Sequence, residues 1–429
     1  MAARQWRPTG ALRRSVTIVA VALLAAVGMG RVDLVVLATP LALGVLASIW
    51  VRPRVAPSAE IVVAEDRVPE TDEFNAWVRV ANPDPVPTVS VVATREPAWL
   101  RLRHGVGFYV RAVAANGEAT VSLRGVARRW GRHEIGPALV RSYACDGLLR
   151  TADLMLPARG IRVYPTADVF DSRQELPRAA GMTGIHRTRR HGDGGELAEV
   201  RPFQPGDRLR RIDWRVSLRR REPYVNSTLS ERDAEVVIVI DVLHEAGNPG
   251  ETSILDVTVR AAAAIAEHYT RQGDRVSVVE FGSGLRRLRP GTGRRQFRAV
   301  LEWLTDTRVT LGPYAGAERL ASGGYLPFGS VVIMLTPLID EQSTELLARL
   351  TRSGRTLVTV DTLPDALRPP HRSPWSGIAA RLWRQERRNT VDRLRELGVP
   401  VERWRGPGSL DLMLGDIARL GRAPKVTRR

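Results

Sequence analysis

The sequence predicts three parts in series: a helical hairpin within a membrane, an all-β sandwich, and an α/β domain built on a parallel sheet. Three observations carry this. Two apolar runs, Val16 to Gly30 and Leu34 to Val51, follow one another almost without a break. From Pro57 to about Pro165, short alternating stretches are divided by turn residues. Beyond residue 232, continuous apolar runs of strand length alternate with helical patterns.

Composition sets outer bounds. A chain of 429 residues has room for two or three domains, each able to bury a core. Its single cysteine, Cys145, excludes an internal disulfide and a cysteine-based zinc cage, and fits a reducing compartment. The net charge of +18 draws polyanions, whether nucleic acid or the anionic face of a bilayer.

Residues 1–14 form a basic tail carrying Arg4, Arg7, Arg13 and Arg14. The expected transmembrane helices cover 15–30 and 33–51. A span takes about 20 apolar residues, so the first run is short and needs its arginines to snorkel. The second run is long enough and tolerates Pro40 and Gly44. A cleaved signal peptide is the rival reading of the first run. The second run, arriving so soon, favours a hairpin. Arginines flank both outer ends, while Arg31 in the tight loop is offset by Asp33, which puts both ends and all that follows in the cytoplasm of a two-pass cell-membrane protein.

The sandwich is expected over 57–165, with strands near Phe74 to Val80, Val89 to Ala93, Gly107 to Ala114, Ala119 to Val126 and Ile161 to Tyr164. His104 and His133 stand alone there and read as ordinary histidines.

A connector, 170–232, holds the densest chemistry. Gly192, Gly194 and Gly195 disfavour helix and strand, so HGDGGE reads as a loop exposing His191, Asp193 and Glu196. Pro205-Gly206-Asp207 is a turn, and Asp207 is a plausible N-cap for a helix from Arg208 whose stripe is Leu209, Ile212 and Val216. Its rim of Arg208, Arg210, Arg211, Arg215 and Arg219 needs counter-charge. Either the chain's own carboxylates supply it, or an acidic partner, lipid or nucleic acid does.

The run Arg201-Pro-Phe, Pro205-Gly206-Asp207, Arg211-Ile212-Asp213-Trp214 and Ser217-Leu218-Arg219 resembles the signature of the domain of unknown function 58 family. Phe203 and Leu218 depart from the family's usual Tyr and Ala. The resemblance implies that the sandwich is immunoglobulin-like and that 233–420 form a von Willebrand factor type A-like, Rossmann-like domain. It also implies a membrane-tethered adaptor working with a MoxR-type AAA+ ATPase in the assembly or maturation of a complex. Candidate protein-binding residues are Arg201, Gly206, Asp207, Arg211, Asp213, Trp214 and Arg219.

Within 233–420 the sequence reads as strands at Glu235 to Asp241, Arg275 to Phe281, Ser330 to Thr336 and Thr356 to Val360. Helices lie between them at about Ile254 to Gln272, Arg294 to Thr305 and Ser343 to Arg352. Domains of the type implied by the resemblance bind Mg²⁺ through Asp-x-Ser-x-Ser, a Thr and a second Asp beyond the strand ends, because a hard cation needs several oxygens. Here the motif reads Asp241-Val242-Leu243-His244-Glu245, and the later position reads Leu335-Thr336-Pro337-Leu338 with Asp340 late. Asp241 is thus a degenerate metal position, and no metal, cofactor or catalytic set is expected.

Residues 364–429 begin Pro-rich and continue as a basic amphipathic helix through Leu382, Trp383 and Arg381, Arg384, Arg387 and Arg388, before a basic tail at 421–429. Such a helix covers a sheet edge or lies on an anionic leaflet. With no nucleophile elbow, Walker loop or paired metal ligands, the first reading is a non-enzymatic adaptor bound to bilayer and ATPase. A membrane-associated nucleic-acid-binding protein is the alternative, disfavoured by the connector's carboxylates and scarcity of aromatics. A metal-dependent enzyme at Asp241 is a third.

Overall fold

The computed structural model describes residues 6–95, 97–103, 107–166, 191–203, 212–229, 235–250, 253–310, 316–322, 324–327, 330–364, 367 and 375–406. The chain divides into two compact units, Met1–Tyr164 and Pro165–Arg429.

In the first unit, α1 (Gly10–Met29) and α2 (Asp33–Trp50) pack side by side. Thr9 caps α1 by accepting the Leu12 N–H, and Gly30 ends it in the left-handed region. At about 1.5 Å per residue each helix is close to the roughly 30 Å of a hydrocarbon core. Both are long and apolar enough to cross a membrane. Their apolar side chains point outward: Val27 is 85% exposed and Leu37 73%, while the small Ala26 and Ala38 are buried. Because α1 starts at Gly10, Arg13 and Arg14 lie within its first turns, so the short apolar run does not limit its length.

Both ends of the hairpin are tied to the β region of the same unit. Arg7–Pro8 pairs antiparallel with Leu149–Arg150, and Trp6 is buried with Ala144 and Leu149. On the exit side, Asp84 accepts the N–H groups of Arg54 and Val55 at 2.6 and 2.8 Å. Arg52 Nη2 donates to the Trp6 carbonyl at 2.9 Å, joining exit to entry.

The β region encloses a core that includes Phe74, Val78, Val80, Val92, Val121, Ile135 and Val163. Strands Ala76–Asn82, Thr88–Thr94 and Ala138–Ala144 bury alternate side chains, as a period of two requires of a sheet with one face inward.

In the second unit, His191–Pro202 and Tyr224–Leu229 form an antiparallel ribbon, and α3 (Trp214–Arg220) lies between them in sequence. A six-stranded sheet follows in the order Arg287–Gly291, Arg275–Phe281, Glu235–Asp241, Val331–Thr336, Thr356–Asp361 and Val401–Arg403. The first pairing is antiparallel and irregular, and the other four are parallel. Helices α4 (Ile254–Arg271), α5 (Gly293–Leu304), α6 (Gly316–Ser322), α7 (Glu341–Arg352) and α8 (Ser376–Glu396) accompany it. Val236 to Ile240 are wholly buried, and Ala261 to Ala264 on α4 are buried without a gap.

The expected class, a von Willebrand type A-like, Rossmann-like α/β domain beside an immunoglobulin-like sandwich, is corrected by the strand pairing. Twelve of the seventeen pairings among the described residues are antiparallel. The many short strands are spread over six sheets, and the largest sheet of the second unit is itself mixed. This is a mostly antiparallel chain with two apolar N-terminal helices. Alternating apolar runs and helical patterns invite a doubly wound reading, but pairing direction is set by connections that periodicity does not encode.

The connector differs from expectation as well. His191–Pro202 is a strand, not a loop, and the glycines are taken up in a bulge: Gly192 and Leu197 both stand opposite Thr228. The expected helix start at Arg208 lies outside the described residues, within which the helix seen here is Trp214–Arg220. Ile212, assigned to its apolar stripe, instead bridges Val225.

Candidate functional site

The signature residues are held by a small frame. Asp213 caps α3, its Oδ1 accepting the N–H groups of Arg215 and Val216 at 3.1 Å each. Ser217, buried one turn on, donates to the Asp213 carbonyl at 2.7 Å and accepts the Tyr224 N–H at 2.8 Å. The Asp213 N–H reaches the Tyr224 carbonyl at 2.9 Å. This stitching fixes α3 against the ribbon and turns Trp214 and Leu218 to solvent, 67% and 78% exposed. One turn apart, these two share a face. Arg215, Arg219 and Arg220 are exposed around them. Among the described residues no ion pair to a carboxylate is seen for these three, while Arg208, Arg210, Arg211 and Asp207 of the expected network lie outside those residues.

Of the candidate binding residues, the structure therefore brings Asp213, Trp214 and Arg219 together on one short helix. Arg201 pairs with Val225 through the ribbon backbone. Its side chain, with Gly206, Asp207 and Arg211, lies outside the described residues. The helix that is seen is capped by Asp213. Ser217, part of the signature run but not one of the candidate binding residues, is the buried link of this frame.

The second location is the C-terminal end of the mixed sheet. Asp241, Thr336 and Asp361 stand level on three neighbouring strands, since Ile240 pairs with Leu335 and Thr336 with Asp361. Asp241 is buried, and its oxygens accept the Leu243 N–H at 3.1 Å and the hydroxyls of Thr336 and Ser343 at 2.7 and 2.6 Å. Burial pushes its pKa up and the nearby Asp340 adds to this. The hydroxyls and the Leu243 amide pull it back only in part.

His244 and Glu245 do not join it. His244 Nε2 meets Asp340 Oδ2 at 2.7 Å, and Glu245 accepts the Leu255 N–H at the start of α4. The three residues that could have formed a site thus turn to three different partners. Asp361 pairs with Arg387 of α8 at 2.5 Å, and that guanidinium also donates to the Pro337 carbonyl. Among the described residues, no three His, Cys, Asp or Glu side chains converge as cation ligands. Chemically this strand end is a set of locks between strands and helices, with its one central carboxylate spent on hydroxyl and amide donors.

Comparison with known proteins bears on the signature. Two uncharacterized proteins, from Mycobacterium tuberculosis and Mycobacterium bovis, are 33% identical to this chain over 114 residues. The match covers 26% of this chain and 35% of each relative. Solved structures give only faint likeness. The PapD-like domain 7 of human CEP192 is 9% identical, over 25% of this chain and 87% of that one, with a TM-score of 0.18. The C-terminal domain of wzt is 8% identical, over 29% and 85%, with a TM-score of 0.17. Residues 199–361, which take in the ribbon, α3 and the Asp241 strand end, match the family described as protein of unknown function DUF58, and the chain carries a domain of that family.

Proposed function

We propose that this protein is a membrane-anchored adaptor that binds another protein without carrying out a reaction, and that its partner is a MoxR-type AAA+ ATPase acting in assembly or maturation of a complex. The observation that carries the reading is the exposure of Trp214 and Leu218 on a helix that Asp213 and Ser217 hold rigid. An aromatic and an aliphatic side chain ringed by arginines, on a pre-ordered helix, suit a protein partner with an apolar centre and an acidic rim. The partner class comes from the family resemblance.

In this reading α1 and α2 cross the cell membrane, and both units lie in the cytoplasm. Arg7, Arg13, Arg14, Arg52 and Arg54 flank the outer ends, while Arg31 of the loop is paired with Asp33 at 2.8 Å. Protease added to intact cells should leave both units uncut. The partner test is co-purification from solubilised membranes, in which an AAA+ ATPase should accompany the wild type and be depleted by Trp214→Ala. Recovery of the ATPase unchanged by Trp214→Ala and Leu218→Asp together would defeat the proposal.

A further inference from the structure

Helix α8 presents a second surface that the adaptor reading does not use. Its inner face is fixed: Val391 and Leu394 are buried, and Arg387 is locked to Asp361 and the Pro337 carbonyl. That anchoring sets the roll of the helix, so the opposite face must meet whatever lies outside. On it Trp375, Ile378 and Leu382 are 72%, 44% and 67% exposed, spaced three and four residues apart as one stripe. Gln385 and Asn389 continue the stripe without charge, exposed Arg381 and Arg388 flank it on one side, and exposed Glu386 stands beside it on the other.

We infer that this face of α8 rests on an anionic bilayer surface, the apolar stripe entering the headgroup layer and the arginines pairing with lipid phosphates. Three features select a bilayer as the occupant. The chain supplies its own pair of helices long and apolar enough to hold it at a membrane. Its charge of +18 complements an anionic leaflet. Tryptophan and long basic side chains beside aliphatic ones form the set that settles at a lipid–water boundary, where each has an apolar body and a polar tip. The inference rests on the membrane anchoring proposed above and is independent of the ATPase.

The test uses the full chain with Cys145→Ser, so that one introduced cysteine carries an environment-sensitive nitrobenzoxadiazole label. Gln385→Cys places it within the stripe, and Glu345→Cys on α7 serves as the reference position. Each protein is reconstituted into vesicles of phosphatidylcholine alone or mixed with phosphatidylglycerol, with spin-labelled lipid as quencher. Flotation with the vesicles confirms that the hairpin is inserted, so failure of anchoring is told apart from failure of α8 to dock. The expected result is a blue-shifted, quenched label at Gln385→Cys in anionic vesicles only, with little change at Glu345→Cys. Adding Leu382→Asp, or Arg381→Glu with Arg388→Glu, should abolish it, since each arginine near an anionic surface favours the docked state about fivefold. Equal quenching at both positions, equal quenching in neutral vesicles, or none in anionic ones overturns the inference.

Discussion

Ser343 Oγ donates to Asp241 Oδ2 at 2.6 Å, binding the first turn of α7 to the end of a strand 102 residues earlier. Thr336 donates to the same oxygen from the next strand. One buried carboxylate thereby fastens three elements of the family domain, which makes its role at this position structural before anything else.

Asp241→Asn and Asp241→Ala should therefore part company. Burial raises the Asp241 pKa in the fold, so its contribution to stability is complete below the ordinary carboxylate value and drains away as pH rises through the folded value. An asparagine keeps an acceptor for the Leu243 N–H and can donate to the two hydroxyl oxygens, with no charge to desolvate. In detergent-solubilised protein, Asp241→Asn should melt at or above the wild-type temperature near neutral pH, the gap closing toward acid. Asp241→Ala strands an amide and two hydroxyls and should cost about 2 kcal/mol or more.

The hairpin junction depends on Asp84 in the opposite sense. Burial tends to raise its pKa, but the backbone N–H groups of Val55, Arg54 and Val86 outweigh this and hold it below the usual carboxylate range. A depressed pKa gives stability that is present above the unfolded value and lost as pH falls through the folded one. Asp84→Ala should free the exit segment, and trypsin should then cut after Arg54 faster than in wild type. Acidifying the wild type should loosen the same segment.

How far the sequence foretells this structure differs by element. Val236 to Ile240 announce their strand because five apolar residues in a row, closed by Asp241, have nowhere to go but a sheet buried on both faces. The class of the chain is not legible in that way, since pairing direction and the division into several small sheets are settled by long-range partners. The helical spacing of Leu209, Ile212 and Val216 is real in the sequence, yet Ile212 bridges a strand and Asp213 caps a helix that begins at Trp214. Nothing in the one-dimensional pattern brings Ser343 to Asp241 or Arg387 to Asp361, because those pairs exist only once the sheet has formed.

Within the signature, framing and contact residues should separate. Asp213→Ala removes a cap and should cost about 1 kcal/mol of stability, whereas Asp213→Asn, which keeps an acceptor, should cost little. Ser217→Ala should loosen α3 from Tyr224 and raise amide exchange across 214–220. Trp214→Ala, at a side chain 67% exposed, should leave the melting temperature within about 1 °C while depleting the co-purified partner. Thermal melts run beside co-purification on the same preparations distinguish the two behaviours.

Arg387 is the strongest test of how α8 is held. Its side chain is 14% exposed and pairs at 2.5 Å with Asp361, itself 7% exposed, while also donating to the Pro337 carbonyl. Removing one partner of a buried pair leaves the other charge without compensation, which costs about 3 kcal/mol. Arg387→Met, which preserves the stem, should accordingly release α8, seen as faster hydrogen exchange over 376–396 with the Glu235–Asp241 strand still protected. Adding Asp361→Asn removes the stranded charge while keeping an acceptor for the Leu363 N–H that Asp361 now binds at 3.0 Å. If the double variant recovers most of the lost protection, the penalty lay in the orphaned carboxylate. If it recovers none, the guanidinium's bonds to Pro337 and its packing hold the helix, and Arg387→Lys should then fail as completely as Arg387→Met.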